Sequence, residues 1–135
     1  MSKMSDYLEV QLRAHIFRTA SFTKPADLFI SLHTADPLDD GTGAEANYGS
    51  YARVQRDPLD ANWTAASATD GNTDNAAAIT FPTATSGSNV VTHFGIWDAV
   101  SGGNLICYGA LTTSPTISTG VTPIIAIGAL DITFQ

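Results

Sequence analysis

The first periodic stretch of the chain has helical spacing. Leu8, Leu12 and Ile16 recur every four residues, and Phe17 and Ala20 widen the same stripe. This predicts an amphipathic helix over residues 6–20, whose apolar face must be covered, either by the same subunit or by a neighbour. Asp6 with Glu9 three residues later resembles a capping box, and Ser5 is a second candidate cap. Arg13 and Arg18 fall in the later turns, where cations complement the helix dipole. Thr23, Lys24 and Pro25 are expected to end the element.

Beyond Pro25 the period drops to two. Leu28, Ile30 and Leu32 alternate with Phe29, Ser31 and His33, the pattern of a strand. Residues 34–48, rich in Asp, Gly, Pro and Thr, read as a long loop, and 51–55 as a strand. Residues 57–75 form a second polar stretch, which Trp63 is expected to anchor inward. A short strand over 77–81 is stopped by Pro82, and 86–89 reads as a turn. The strongest strand signal covers 90–98, with Val90, Thr92, Phe94 and Ile96 on one face and Val91, His93 and Trp97 on the other. The turn Ser101-Gly102-Gly103-Asn104 and a return strand over 105–111 make this a hairpin. Residues 116–118, 124–127 and 130–134 supply the final strands. The fold class is therefore mainly β: an antiparallel β-sandwich, jelly-roll-like, preceded by an N-terminal amphipathic α-helix. The helical segment takes residues 1–24 and the sandwich 25–135, in one compact domain of ordinary size.

Charge sharpens this picture. Only 14% of the 135 residues are charged, against roughly 25% in an average globular protein. Ala, Thr, Ser, Gly and Asn take their place. A surface with few charges to desolvate suits packing against other subunits, although a secreted domain fits the same composition. The net charge of −7 is unevenly spread. All six basic residues (Lys3, Arg13, Arg18, Lys24, Arg53 and Arg56) lie in the first 56 positions beside seven acids, and six acids without a Lys or Arg follow. A nucleic-acid partner, which needs clustered cations, is excluded on this ground, and the acidic part would be repelled by anionic lipid. Cys107 is the only cysteine, so no intrachain disulfide forms, and its strand-like context predicts a small core residue. The opening residues hold no apolar run of the signal-peptide kind, and the apolar stretch 123–130 is too short to cross a bilayer.

Candidate chemistry is sparse. Asp36, Asp39, Asp40 and Glu45 crowd one Gly-containing loop, but their spacing matches no EF-hand, and Asp and Gly are ordinary turn residues. Asp70, Asn72 and Asp74 match the first three EF-hand positions, yet Asn75 replaces the expected Gly and Phe81 the bidentate Glu. His15, His33 and His93 lie on three elements without metal-ligand spacing. No nucleophile elbow, phosphate loop or dinucleotide fingerprint occurs. No cofactor, metal or catalytic residue is expected, and an enzyme is a distant third reading.

Several stretches, in order, carry a resemblance. They are Ser5-Asp6-Tyr7-Leu8-Glu9, Leu32-His33-Thr34-Ala35-Asp36-Pro37, Tyr51-Ala52-Arg53, Ile79-Thr80-Phe81-Pro82 and Thr92-His93-Phe94-Gly95-Ile96-Trp97-Asp98-Ala99, followed by Gly102-Gly103-Asn104-Leu105 and Tyr108-Gly109-Ala110-Leu111. Together they resemble a family of small virion structural proteins of tailed phages, often labelled tail fibre proteins. The resemblance implies a non-enzymatic virion component made in the host bacterial cytoplasm. Compact size without a repeat or coiled coil also resembles a capsid cement (decoration) protein, which would stabilise the shell by adding contacts to the major capsid protein. That is the first expectation. The alternative is a tail or baseplate component, either a short tail fibre or adaptor or a tip that stacks host glycan on Trp63 or Trp97. Either would act with other proteins of the particle, as a homo-oligomer, a dimer or trimer. Subunit contacts are expected from Leu8, Leu12 and Ile16 on the helix, from Asp36, Asp39 and Asp40 in the first loop, and from Trp63 in the second.

Overall fold

The computed structural model describes residues 2–134. In chain order the elements are β1 (Ser2–Met4), α1 (Asp6–Phe17), β2 (Phe29–His33), β3 (Val54–Gln55), β4 (Thr73–Asp74), β5 (Ile79–Thr80), β6 (Ser88–Val90), β7 (His93–Trp97), β8 (Leu105–Ala110), β9 (Thr116–Ser118), β10 (Ile124–Ile125) and β11 (Asp131–Ile132). The chain is thus mainly β, with one N-terminal helix. A five-stranded sheet in the order β1-β8-β7-β2-β3 is accompanied by three two-stranded ladders, β5/β10, β4/β11 and β6/β9, all antiparallel.

Ile30, Leu32, Phe94, Ile96 and Cys107 from the central sheet meet Ile79, Phe81, Val91, Ile117, Ile125, Leu130 and Ile132 from the ladders and their flanks in one core. This arrangement is sandwich-like. A smaller cluster of Trp97, Leu105, Tyr108 and Phe29 stands apart from it. Residues 30–33 of β2 are all buried, because the chain after β2 folds back along that strand. His33 bridges to Glu45, and Ala46 N–H donates to Leu32 O (2.8 Å). The β7–β8 hairpin forms around the expected Gly-Gly turn, with Gly102 at φ 59° and Gly103 at φ 75°, and carries a bulge between Ile96 and Trp97.

Three local expectations change. Ser2–Met4 form a strand that the sequence pattern did not reveal, so the N-terminal segment belongs to the central sheet. It pairs with β8, and Ser2 Oγ exchanges hydrogen bonds with the backbone of Thr133 (2.8 Å each). The helix is capped by Ser5 and ends at Phe17, three residues early. Ser5 Oγ accepts from Leu8 N (3.2 Å) and donates to Leu105 O, while Arg18 is already extended. The strand expected over 90–98 is split, and the turn expected over 86–89 is confined to Ser86 and Gly87 (φ 77°), with 88–89 in strand β6. Val91 N–H goes to Pro115 O and Thr92 N–H to His33 O, so the chain crosses from the β6/β9 ladder to the central sheet at this point. The alternation shifts there, leaving Val90 exposed and Val91 buried. Among the described residues no helix is long and apolar enough to cross a membrane.

Candidate functional site

The densest polar constellation lies between β2, β7 and the two loops after them. Arg53 reaches into it beside β3, with 7% of its side chain exposed. Its Nε and Nη2 grip both oxygens of Glu45 (2.9 and 2.8 Å), and its Nη1 donates to the carbonyls of Ala99 (3.0 Å) and Gly102 (2.9 Å). The guanidinium also lies over the Trp97 ring, 4.0 Å from its centroid. One side chain therefore ties the 34–48 loop to the β7–β8 turn. A planar fork with five donors does this where an ammonium group would not. Tyr51 O–H donates to Glu45 Oε1 (2.7 Å) and accepts from Leu32 N–H (3.1 Å). Burial and the Glu45 bond push the Tyr51 phenol well above its ordinary range. Burial raises the Glu45 carboxyl, but the Arg53 and Tyr51 hydrogen bonds and the Arg53 charge together hold it below its ordinary value.

Beside this network Ser31 Oγ stands 2.8 Å from His33 Nε2 and accepts from Trp97 Nε1 (2.8 Å). His33 Nδ1 faces Gly43 O (3.2 Å), a group that can only accept, so Nδ1 carries the proton and Nε2 accepts from Ser31. Burial lowers the His33 pKa and keeps the ring neutral. Ser31 and His33 have the geometry of a nucleophile and its base, but both are 0% exposed, so a substrate does not reach them. Gly95 leaves the room this cluster needs. A Cβ there would lie 2.8 Å from both Ser31 Oγ and Trp97 Nε1. The cluster is a clamp that shapes two loops.

The first-loop carboxylates are used locally. Asp36 accepts from Leu38 N–H, and Asp40 from the N–H and hydroxyl of Thr42, which hold its carboxyl below the usual range. Asp39 accepts from Tyr108 O–H. Burial first, then Asp39, raises that phenol. Asp70 accepts from Asn72 N–H, and Asn72 Nδ2 donates to Asp74. Among the described residues no three His, Cys, Asp or Glu side chains are grouped to hold a metal ion. Cys107 is buried, which pushes its thiol up to about 12. Trp97 is covered by Arg53 and has no free face for a sugar.

Among the described residues several apolar surfaces are open, including a cleft of about 350 Å³ beside Leu111, Val121 and Ile124, and two bear on the expected contact residues. An apolar groove of about 780 Å³ is floored by Ile106 and Cys107 and walled by Leu28, Leu59, Trp63 and Phe134. Trp63 donates its indole N–H to Asp57 O (3.1 Å) and turns its half-buried ring to the groove. The second surface is the outer end of α1. Of the expected helical contacts, Leu8 is buried within the chain and Leu12 is half-buried, whereas Ile16 stands 66% exposed with Phe17 beside it at 81%. Leu8 thus does not share a free face with Ile16, and the start of the helix lies against the first loop, where Asp6 N–H donates to Asp39 O (3.0 Å). The Arg53, Glu45, Tyr51 and Ser31 clamp was not anticipated from the sequence, although Tyr51-Ala52-Arg53 is one of the stretches that carry the resemblance.

These polar groups fix loops within the chain, and apolar residues stand exposed at the groove and at the end of α1. The family model of the podophage GP4 fiber I protein gp80 matches residues 3–133, and the chain belongs to that family of phage virion proteins. No curated protein matches the chain.

Proposed function

We propose that the protein is a fibre component of a phage tail, a rigid non-enzymatic module joined to other tail proteins and to copies of itself by surface contacts. The family match over nearly the whole chain carries this reading. It favours the tail alternative over the capsid cement protein expected from size. Size is a weak guide, because a fibre can be assembled from short chains. The Arg53 clamp supports the role by fixing the 34–48 loop and the β7–β8 turn as rigid surface, and the groove and helix end offer contact area.

The test is the copy number of the protein in purified particles, by quantitative mass spectrometry against the major capsid protein. A number far below that of the capsid subunit is expected. A ratio near one to one, or a simple fraction of it, would return the protein to the capsid lattice.

A further inference from the structure

Between residues 75 and 130 the chain is almost without charge, and Asp98 is the only Asp, Glu, Lys or Arg there. Asp98 is used locally, since it accepts from the backbone and side-chain amides of Asn104 at the β7–β8 turn. The cleft of about 350 Å³ opens past the other end of these two strands, where Leu111 N–H donates to Thr92 O (2.8 Å). None of the residues that line it is charged, whereas Lys24 and Asp60 line the larger groove.

The rim of this cleft carries an apolar side chain that the fold does not use. Ala126 and Ala129 line the cleft, and Ala129 N–H donates to Ala126 O (3.1 Å), which closes a tight turn over Ile127 and Gly128. Gly128 supplies the positive φ (69°) that the third position of such a turn requires. Ile127 holds the second position and is 69% exposed, in a setting where Gly, Pro and small polar residues dominate. Close by in the chain, Ile124 and Val121 line the cleft and are also exposed. Thr80, directly opposite Ile124 on β5, is exposed and neutral. Arg56 stays at the margin on the β5 side, with Nη2 donating to Ala78 O (2.8 Å), and does not line the cleft.

Charge selects what covers this face. The chain carries a net charge of −7, so two copies that meet through charged surface bring acid to acid. In a two-fold contact one patch meets itself, and any net charge on it is opposed by the same charge on its copy. The cleft face escapes that repulsion. A charged partner would have to bury its charge against a face with no counter-charge, which costs the full desolvation. A second copy presents an uncharged face by construction. The patch also carries both halves of a fit, a projecting Ile127 and a hollow beside it, so one symmetric contact uses each of them twice.

We propose that two copies pack these faces on each other around a two-fold axis, each setting Ile127 into the other's cleft against Leu111 and Pro115. The inference deepens the fibre reading by naming the surface of its self-contact, and it rests on that reading only for the place of the contact in a particle. The contact itself is read on the isolated chain, so its failure is distinct from an unexpected copy number. The patch is small, so the dimer belongs to the weak, reversible end of specific interfaces.

The test is sedimentation equilibrium of the full chain. A reversible monomer–dimer equilibrium is expected. Added salt should strengthen it, because salt screens the repulsion between two copies of net charge −7. Ile127→Asp should weaken the dimer several-fold with an unchanged circular-dichroism melt, since the side chain is exposed in the single chain. Phe17→Asp should leave the dimer intact. An equal mixture of Ile127→Cys and Thr113→Cys chains, mildly oxidised, should give a covalent dimer with one of each, for Thr113 lines the cleft and the native Cys107 is buried. A monomer at all concentrations overturns the inference. So does a dimer that Ile127→Asp leaves unchanged, or one that salt weakens, which would mean that charged patches make the contact.

Discussion

The Arg53 clamp and the outer end of α1 treat side chains that need partners in opposite ways. Around Arg53 both oxygens of Glu45, two backbone carbonyls, a tyrosine hydroxyl and an indole face are satisfied within the chain. At the end of α1, twelve residues long, Ile16 and Phe17 meet no core, and Arg18 has no ion pair among the described residues. The two ends of that helix repeat the contrast, for Ser5 and Leu8 are locked onto β8 while Phe17 is free. The chain fixes its shape with a few multivalent polar residues and leaves apolar area exposed at its periphery.

The strongest way to break the comparison is Arg53→Ala. It strands the Glu45 carboxylate and frees two carbonyls, and should cost about 3 kcal/mol in urea unfolding. Arg53→Lys should recover only part of that, because an ammonium group cannot fork. Leu8→Ala, at the anchored end of the helix, should cost about 2 to 3 kcal/mol in the same assay. Gly95→Ala forces the Ser31, His33 and Trp97 atoms apart and should cost about 1 to 3 kcal/mol. Tryptophan fluorescence in a Trp63→Phe background, which leaves Trp97 as the remaining indole, would localise the effect.

Acid should act on the clamp before it acts on the helix end. Folding depresses the pKa of His33 below its ordinary 6.5, so the unfolded chain takes up the proton first and stability falls as the pH drops below that value. Folding also depresses the Glu45 carboxyl. Its contribution is present above the ordinary glutamate value and is lost as pH falls through the depressed one. Melting temperature should therefore decline steadily from about pH 7 downward through these two windows. The smallest effect belongs to Phe17→Ser, which should change the stability of the dilute chain by less than about 0.5 kcal/mol. A large loss there would mean that the helix end has an internal partner, and the contrast would fail.

What the sequence makes legible follows the same division. β2, the β7–β8 hairpin and β9 come through because alternation and Gly-rich turns are local signals. β1 does not, since Ser2, Lys3 and Met4 carry no pattern and their strand depends on β8 and on Thr133, 131 residues away from Ser2. The helix overruns in the reading because Phe17 and Ala20 extend the stripe, and periodicity does not register where the body of the protein stops. Ser31, His33 and Trp97 are recognisable as strand residues, but the bond from Trp97 to Ser31 spans 66 positions and that from Arg53 to Ala99 spans 46. Such convergence is a property of topology. The groove escapes for the same reason, since Leu59, Ile106 and Phe134 come from distant parts of the chain.

The most direct test of the account is amide hydrogen exchange on the dilute chain and on the chain within purified particles, compared for residues 14–20 and for the central strands β2 and β7. Residues 14–20 should exchange fast in the dilute chain and become protected in the particle, with β2 and β7 slow in both. Protection of 14–20 already present in the dilute chain, or absent from the particle, would contradict the claim that this end of the molecule is kept free for assembly.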